Sequence, residues 1–262
     1  MPIAELNGNK LYYEVTGDGP ETLIFSHGAF LDHTVWDLVV AELSGDYRCI
    51  TWDARGHGMS ECNGPFDYWD AANDALGLLD VVGADEAVFV GMSQGGWLSQ
   101  RAALSTPEKV RGLVLQGTSV SLLTEEEQAG YAQLGEAWVT AGPVGDIANA
   151  VLGIQFAGSD YDGSYYIQRW QSKPPSAWAQ VWQTILNRDD ISDQVKKFAC
   201  PVAVVHGSED AAFSVDIARA TGYMVPYSLG VTVIVGGPHA AALTHPLEVC
   251  AAIRTFMQGL SG

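Results

Sequence analysis

Basic residues are scarce in this chain. Lysines and arginines number 13 against 31 aspartates and glutamates, giving a formal net charge of −18. A surface of that sign repels phosphate backbones and anionic headgroups, so nucleic acid and acidic membranes are not expected as partners. Cysteine is rarer still. Cys49, Cys62, Cys200 and Cys250 are scattered, with no C-x-x-C pair and no histidine at ligand spacing. A zinc site and a disulfide framework both lack support, and reduced thiols in a cytoplasmic protein are expected instead. No apolar run reaches membrane-spanning length, and no basic segment followed by an apolar stretch opens the chain. Neither a transmembrane helix nor a signal peptide is therefore expected. Internal repeats and low-complexity tracts are also missing.

What is there supports a sizeable core. Of 262 residues, 47% are hydrophobic and 17% charged, which suits an α/β domain carrying an insertion. The N-terminus alternates like a strand, and residues 9–16 are expected to form one. Further strand signals fall at 22–26, 47–52, 87–90 and 110–115. Helical spacing falls between them at 34–43, 67–83 and 94–105, the last stopping at Thr106-Pro107. This alternation implies a mostly parallel sheet flanked by helices. Ligands of such sheets bind at the carboxyl ends of the strands.

The rhythm breaks after about residue 119. From there to about 195 the chain is helical in tone, glycine-rich and aromatic, opening on Thr124 followed by Glu125, Glu126 and Glu127. Strand and helix signals resume at 201–205, 214–224, 231–235 and 246–260. The expected organisation is a core of residues 1–118 and 196–262, with a helical cap, 119–195, inserted between sheet strands.

Serine needs a base, an orienting acid and oxyanion donors before it can act as a nucleophile. Gly91-Met92-Ser93-Gln94-Gly95-Gly96 follows a strand and opens a helix, the context of a G-x-S-x-G nucleophile elbow. Ser93 is the candidate nucleophile. The base is expected after the last strand, where Gly236-Gly237-Pro238-His239 stands. His239 is preferred over His245, which immediately precedes a proline at a helix start. The acid is expected between the two in the chain. Asp210 follows the strand at 202–205, with Glu209 as its neighbour and competitor. The loop one strand earlier, Gln116-Gly117-Thr118-Ser119-Val120, holds no acid. The backbone N–H groups of Gln94 and Ala29, with Phe30 second to Ala29, are the candidate oxyanion donors. His27 is expected to brace its loop.

As a set, His27-Gly28 with Trp36, Asp53-Ala54-Arg55-Gly56-His57-Gly58-Met59-Ser60, the elbow at 91–96, His206-Gly207 with Asp210, and His239 with Pro246 resemble the α/β-hydrolase superfamily. The resemblance covers nearly all of the chain except the cap. It is nearest the group of 3-oxoadipate enol-lactonases, small carboxylesterases and cofactor-free haloperoxidases. It implies an α/β-hydrolase fold, no cofactor and no metal, and a small-molecule substrate. It also implies that Asp53, Arg55 and His57 support the site rather than react. Pro238 and Gln94 depart from the family's usual glycine and its usual methionine or leucine; the Gln94 backbone N–H can still serve, and its side chain could add a polar contact to substrate. Serine at the elbow separates the chain from epoxide hydrolases and haloalkane dehalogenases, which carry aspartate there.

The expected reaction is hydrolysis of a carboxylic ester or lactone of a small apolar or aromatic substrate, through an acyl-enzyme on Ser93. Phe30, Trp138, Trp170 and Trp182 are the candidate substrate contacts, with packing of the cap on the core as the competing role for the tryptophans. Arg169, Lys173 and Arg188 are the basic residues between 119 and 195. One of them facing the pocket would imply a carboxylate-bearing substrate such as an enol-lactone; otherwise neutral esters or lactones follow. Rival readings on the same scaffold are a C–C bond hydrolase, a cofactor-free dioxygenase and a non-enzymatic small-molecule receptor. Oligomeric state is left open.

Overall fold

Asn7 and Gly8 both take positive φ, 47° and 77°, and fold the start of the chain into a hairpin. In the computed structural model this splits the N-terminal alternation in two, β1 (Ile3–Leu6) and β2 (Asn9–Thr16), paired antiparallel. The Asn-Gly pair is the signal that separates them. The structure describes residues 2–260; Met1, Ser261 and Gly262, the outer ends of the expected core segments, lie outside the described residues.

The remaining strands are β3 (Thr22–Ser26), β4 (Arg48–Trp52), β5 (Ala87–Met92), β6 (Val110–Gln116), β7 (Val202–Gly207) and β8 (Ser228–Ile234). They form one 8-stranded sheet in the order β1-β2-β4-β3-β5-β6-β7-β8. Pairing is antiparallel at β1–β2 and β2–β4 and parallel from β4 to β8. The central strands are apolar on both faces. Phe25, Val90 and Val114 enter one core cluster, while their neighbours Ile24, Phe89 and Leu113 enter the other. That is the two-sided burial that helices on both faces of a parallel sheet require.

Those helices are α1 (Asp37–Leu43), α2 (Tyr68–Val82) and α3 (Gln94–Ser105) in the first half. Four more lie between β6 and β7: α4 (Glu125–Ala141), α5 (Gly145–Phe156), α6 (Ser164–Gln171) and α7 (Ala179–Leu186). The chain closes with α8 (Val215–Met224), α9 (Ala241–Thr244) and α10 (Pro246–Leu260). Helix α1 is shorter than the expected 34–43 because His33–Trp36 winds as a 3-10 turn capped by Asp32. Helix α4 starts on a capping box, in which Thr124 and Glu127 each satisfy the other's backbone N–H. No strand interrupts the segment between β6 and β7 among the described residues.

This helical insertion sits against the end of β3. Arg169 Nε lies 3.2 Å from Asp32 Oδ2, and Trp170 Nε1 donates to the Phe30 carbonyl. The Phe30 ring packs on three insertion tryptophans, with centroids 5.1 Å from Trp138, 5.8 Å from Trp178 and 4.5 Å from Trp182. Such tilted aromatic pairs contribute about 0.5–1.5 kcal/mol each beyond their area.

The strand order sets the place of the site. The chain passes from β3 to β4 on one side, then crosses to β5 on the other side of β3. The carboxyl ends of β3 and β5 therefore flank a topological switch point.

Candidate active site

Ser93 occupies the turn between β5 and α3 at φ 51°, ψ −116°, a conformation few side chains adopt. Such strain costs about 1–3 kcal/mol and persists only where the surroundings enforce it. Here they do. Its N–H donates to the Gln116 carbonyl at 2.9 Å, and its carbonyl accepts from Thr118 Oγ1 at 2.8 Å. The flanking glycines are sterically required. A Cβ on Gly91 would lie 2.3 Å from the Gly95 carbonyl oxygen, and one on Gly95 would lie 2.0 Å from that of Ser26. The elbow can thus turn only because α3 starts hard against the end of β3.

Asp210 and His239 come from the loops after β7 and β8. His239 Nδ1 lies 2.8 Å from Asp210 Oδ2. The other carboxylate oxygen accepts from the N–H groups of Ala212 at 2.8 Å and Phe213 at 3.0 Å. Burial alone would raise the Asp210 pKa. The charge and hydrogen bond of His239, with His206 and the Phe213 N–H, outweigh it and hold the carboxyl below its ordinary value. Glu209 points elsewhere, its carboxylate meeting Ser208 Oγ at 3.2 Å. His245 bonds Thr244 and borders a different cleft.

Ser93 and His239 border one cavity of about 30 Å³, together with Ala29, Phe30, Trp97, Tyr131, Ile154, Gln155, Trp182 and Phe213. Among the described residues no hydrogen bond runs from the Ser93 hydroxyl to the imidazole. The space corresponds to about two waters. Trp138 and Trp170, expected on the substrate wall, do not border it; both are fully buried in the aromatic cluster behind Phe30. Phe30 and Trp182 do border it.

His27, after β3, and His57, after β4, both bond to backbone groups. His27 Nδ1 lies 2.7 Å from the Gly28 carbonyl, and its Nε2 accepts from the Ala54 N–H at 3.0 Å. His57 Nδ1 lies 2.9 Å from the Arg55 carbonyl, and burial keeps its ring neutral. The Gln94 side chain meets His57, Nε2 to Nε2 at 3.4 Å. Asp53 accepts from the His33 N–H and ring, and Arg55 pairs with Asp74.

A family model for the alpha/beta hydrolase family matches residues 23–253. The chain belongs to that family. Among its relatives is the pimeloyl-[acyl-carrier protein] methyl ester esterase of Edwardsiella ictaluri, 25% identical over 97% of this chain and 99% of its own length. A thermophilic esterase from Thermogutta terrifontis, solved with malate bound, superposes at a TM-score of 0.85 with 26% identity, covering 96% of this chain and 94% of that one. The enol-lactonase of Burkholderia xenovorans LB400 shares the fold at a TM-score of 0.87 with 22% identity, over 98% of this chain and 100% of the other. With esterases and lactonases as relatives, the protein is a hydrolase.

Two features of this hydrolase site escaped the sequence reading. Gln155, from the insertion helix α5, donates from Nε2 to the Ala29 carbonyl at 3.2 Å, and its own carbonyl accepts from the Ala240 N–H at 2.9 Å. It so touches both the loop of Ala29 and the residue after His239. No motif covers the insertion, so nothing in the sequence marked it. Gly117, φ 52°, leaves space for the Asp210–His239 pair: a Cβ there would lie 3.1 Å from Asp210 Oδ2 and 3.2 Å from His239 Nδ1. Of the insertion's cations, Arg169 pairs with Asp32 and Lys173 donates to the Gly56 carbonyl at 2.9 Å. Neither borders the Ser93 cavity, and nor does Arg188.

Proposed function

We propose that the protein is a serine hydrolase that cleaves a carboxylic ester or lactone through an acyl-enzyme on Ser93. The observation that carries this reading is the 2.8 Å contact between His239 and Asp210 beside a strained serine on the wall of the same cavity. Asp210 orients the ring so that Nε2 faces the cavity as base. His239 takes the Ser93 proton as Oγ attacks the carbonyl carbon. The N–H groups of Ala29 and Gln94, the latter at the positive start of α3, hold the oxyanion. Collapse expels the alcohol, which receives the proton from His239. Water then gives a proton to His239 and attacks the acyl-enzyme, and the Oγ–acyl bond breaks as His239 returns that proton to Ser93 Oγ, freeing the acid.

The segment 119–195 acts as the cap. Tyr131, Val151, Ile154, Gln155, Trp182 and Ile185 are its contribution to the cavity wall. Apolar side chains prevail around Ser93, so the acyl portion next to the scissile bond is apolar or aromatic. The cavity's small size requires these cap side chains to yield as substrate enters.

One alternative has an observation behind it. Gln155 and Tyr131 bring polar groups from the cap to the same wall, and C–C bond hydrolysis of a diketone would use them on the same triad. A panel of p-nitrophenyl esters, lactones and β-diketones, run on wild type and Ser93→Ala, separates the two. Ester or lactone turnover that disappears in Ser93→Ala is expected; turnover of diketones alone would favour the alternative.

A further inference from the structure

The five most exposed large hydrophobic side chains among the described residues all belong to one edge of the molecule. They are Tyr223, Tyr227, Leu229, Val235 and Leu247, from 53% exposed at Leu229 to 92% at Tyr223. Tyr223 lies near the end of α8, and Leu229 lies within β8. Tyr227 and Val235 flank that strand, and Leu247 opens α10. Both helices pack on β8. A Cβ on Gly259 of α10 would lie 3.4 Å from Leu229, and one on Gly236 would lie 3.7 Å from the His245 ring. The exposed side chains thus line the whole length of the edge. The same region carries no charge. Between Arg219 and Glu248 the chain holds no aspartate, glutamate, lysine or arginine, in a protein with 31 acidic residues. A contiguous exposed apolar patch with a polar rim marks an interaction site.

The backbone of this edge is open as well. β8 is the last strand of the sheet and pairs with β7 alone. Natural sheets blunt such edges with charge, proline or short strands. The opposite edge follows that rule, since β1 has four residues and exposes Glu5. β8 is blunted only in its first half, where Gly230 takes φ 106° and the register with β7 slips. Val231–Ile234 run in step with Val204–Gly207. The Ile234 carbonyl accepts from the Ser208 N–H at 2.9 Å, so the backbone groups of Ile234 and Thr232 face β7. Those of Val231 and Val233 alternate with them and face outward.

We propose that this edge docks a second copy of the chain, β8 against β8 and antiparallel, about a two-fold axis through Thr232. That axis sets Val231 opposite the partner's Val233, exchanging N–H···O bonds, and Leu229 opposite the partner's Val235. Two features point to a copy rather than another protein. An antiparallel edge contact is self-complementary, as a two-fold interface must be. Two chains of charge −18 can approach closely only where charge is missing, and this strip is that place. A stable interface needs about 1,200–2,000 Å² in total, more than a short ladder supplies, so the two tyrosines and Leu247 lie within it. The proposal is independent of the hydrolase reading.

Sedimentation velocity across the micromolar range tests it. Wild type should sediment as a dimer. Leu229→Glu and Val235→Glu, each placing an acid in the neutral strip, should weaken the dimer at least tenfold. Thr232→Cys should give a disulfide-linked dimer on mild oxidation that wild type does not form, because residues facing each other across an antiparallel pair have Cα atoms about 4.5–5.5 Å apart, within disulfide range. Thermal melts report whether the variants fold; if the Glu variants do not, the cross-link in Thr232→Cys decides. A wild type that stays monomeric overturns the proposal, and cosedimentation of that monomer with phosphatidylcholine vesicles would assign the strip to a lipid surface. A dimer that survives both Glu variants, with no cross-link in Thr232→Cys, overturns it too and places the contact elsewhere. Open-ended aggregates in place of a closed dimer contradict the two-fold arrangement.

Discussion

The side-chain amide of Gln155 donates to the carbonyl of Ala29 across 3.2 Å, tying an insertion helix to the loop that carries the proposed oxyanion donor. Replacing Gln155 by Ala removes that tie and leaves the loop to wander. Oxyanion donors act through fixed geometry, and losing one outright costs about 10²–10³ in kcat. Loosening one should cost less, roughly tenfold in kcat, with KM little changed. Steady-state kinetics on a p-nitrophenyl ester give the split. A rise in KM alone would mean that Gln155 only touches substrate.

Gly117 leads to a second expectation. An Ala there must hold φ near 52° and place a methyl 3.1 Å from Asp210 and 3.2 Å from His239. The left-handed backbone alone costs about 1–2 kcal/mol. Gly117→Ala should fold with a loss of about that size and lose activity more than its stability explains, because the acid–base pair is displaced. Urea unfolding and kcat measured side by side check this. A variant with wild-type kcat would show that the pair is not confined there.

How much of this could be read beforehand varied with the kind of signal. The turn at Ser93 and the placing of Asp210 and His239 in neighbouring loops are legible because a strand-to-helix serine, and carboxyl-end loops with few polar residues, constrain position locally. The 94–105 helix was placed to the residue. At the N-terminus the strand alternation continues through the Asn7-Gly8 turn, so alternation alone does not separate β1 from β2. The far side of the site was not legible. Gln155 and Trp182 sit on helices whose amphipathic pattern reports burial but not what they face. Trp138 and Trp170 show the consequence, since aromatic richness looks the same in a binding wall and in the packing behind it.

That difference between the tryptophans is measurable. Trp138 is fully buried, so Trp138→Ala should destabilise by about 3–5 kcal/mol, with its effect on turnover following from stability. Trp182 borders the cavity and should alter KM and acyl-chain preference in Trp182→Ala. Chemical denaturation and an ester-length series distinguish them. Equal shifts in ester preference would place both on the substrate wall.

Acid should probe the brace beside the site. Burial would raise the Asp53 pKa, but the hydrogen bond from His33, the charges of His27 and His33 and the Met59 N–H lower it to about 2. A depressed carboxyl stabilises the fold above its unfolded value, near 3.8, and the contribution is lost as pH falls toward about 2. It amounts to about 2 kcal/mol at neutral pH. The stability gap between wild type and Asp53→Asn should therefore narrow between about pH 4 and pH 2. A gap independent of pH in that window would show that Asp53 is not held ionised by these partners.

The central claim is that Ser93 carries the acyl group. Intact-mass spectrometry after treatment with a fluorophosphonate tests it most directly. The account predicts a single adduct, mapped to Ser93, with parallel loss of ester hydrolysis, and neither adduct nor turnover in Ser93→Ala. An unlabelled protein that still hydrolyses esters, or an adduct on another residue, would contradict it.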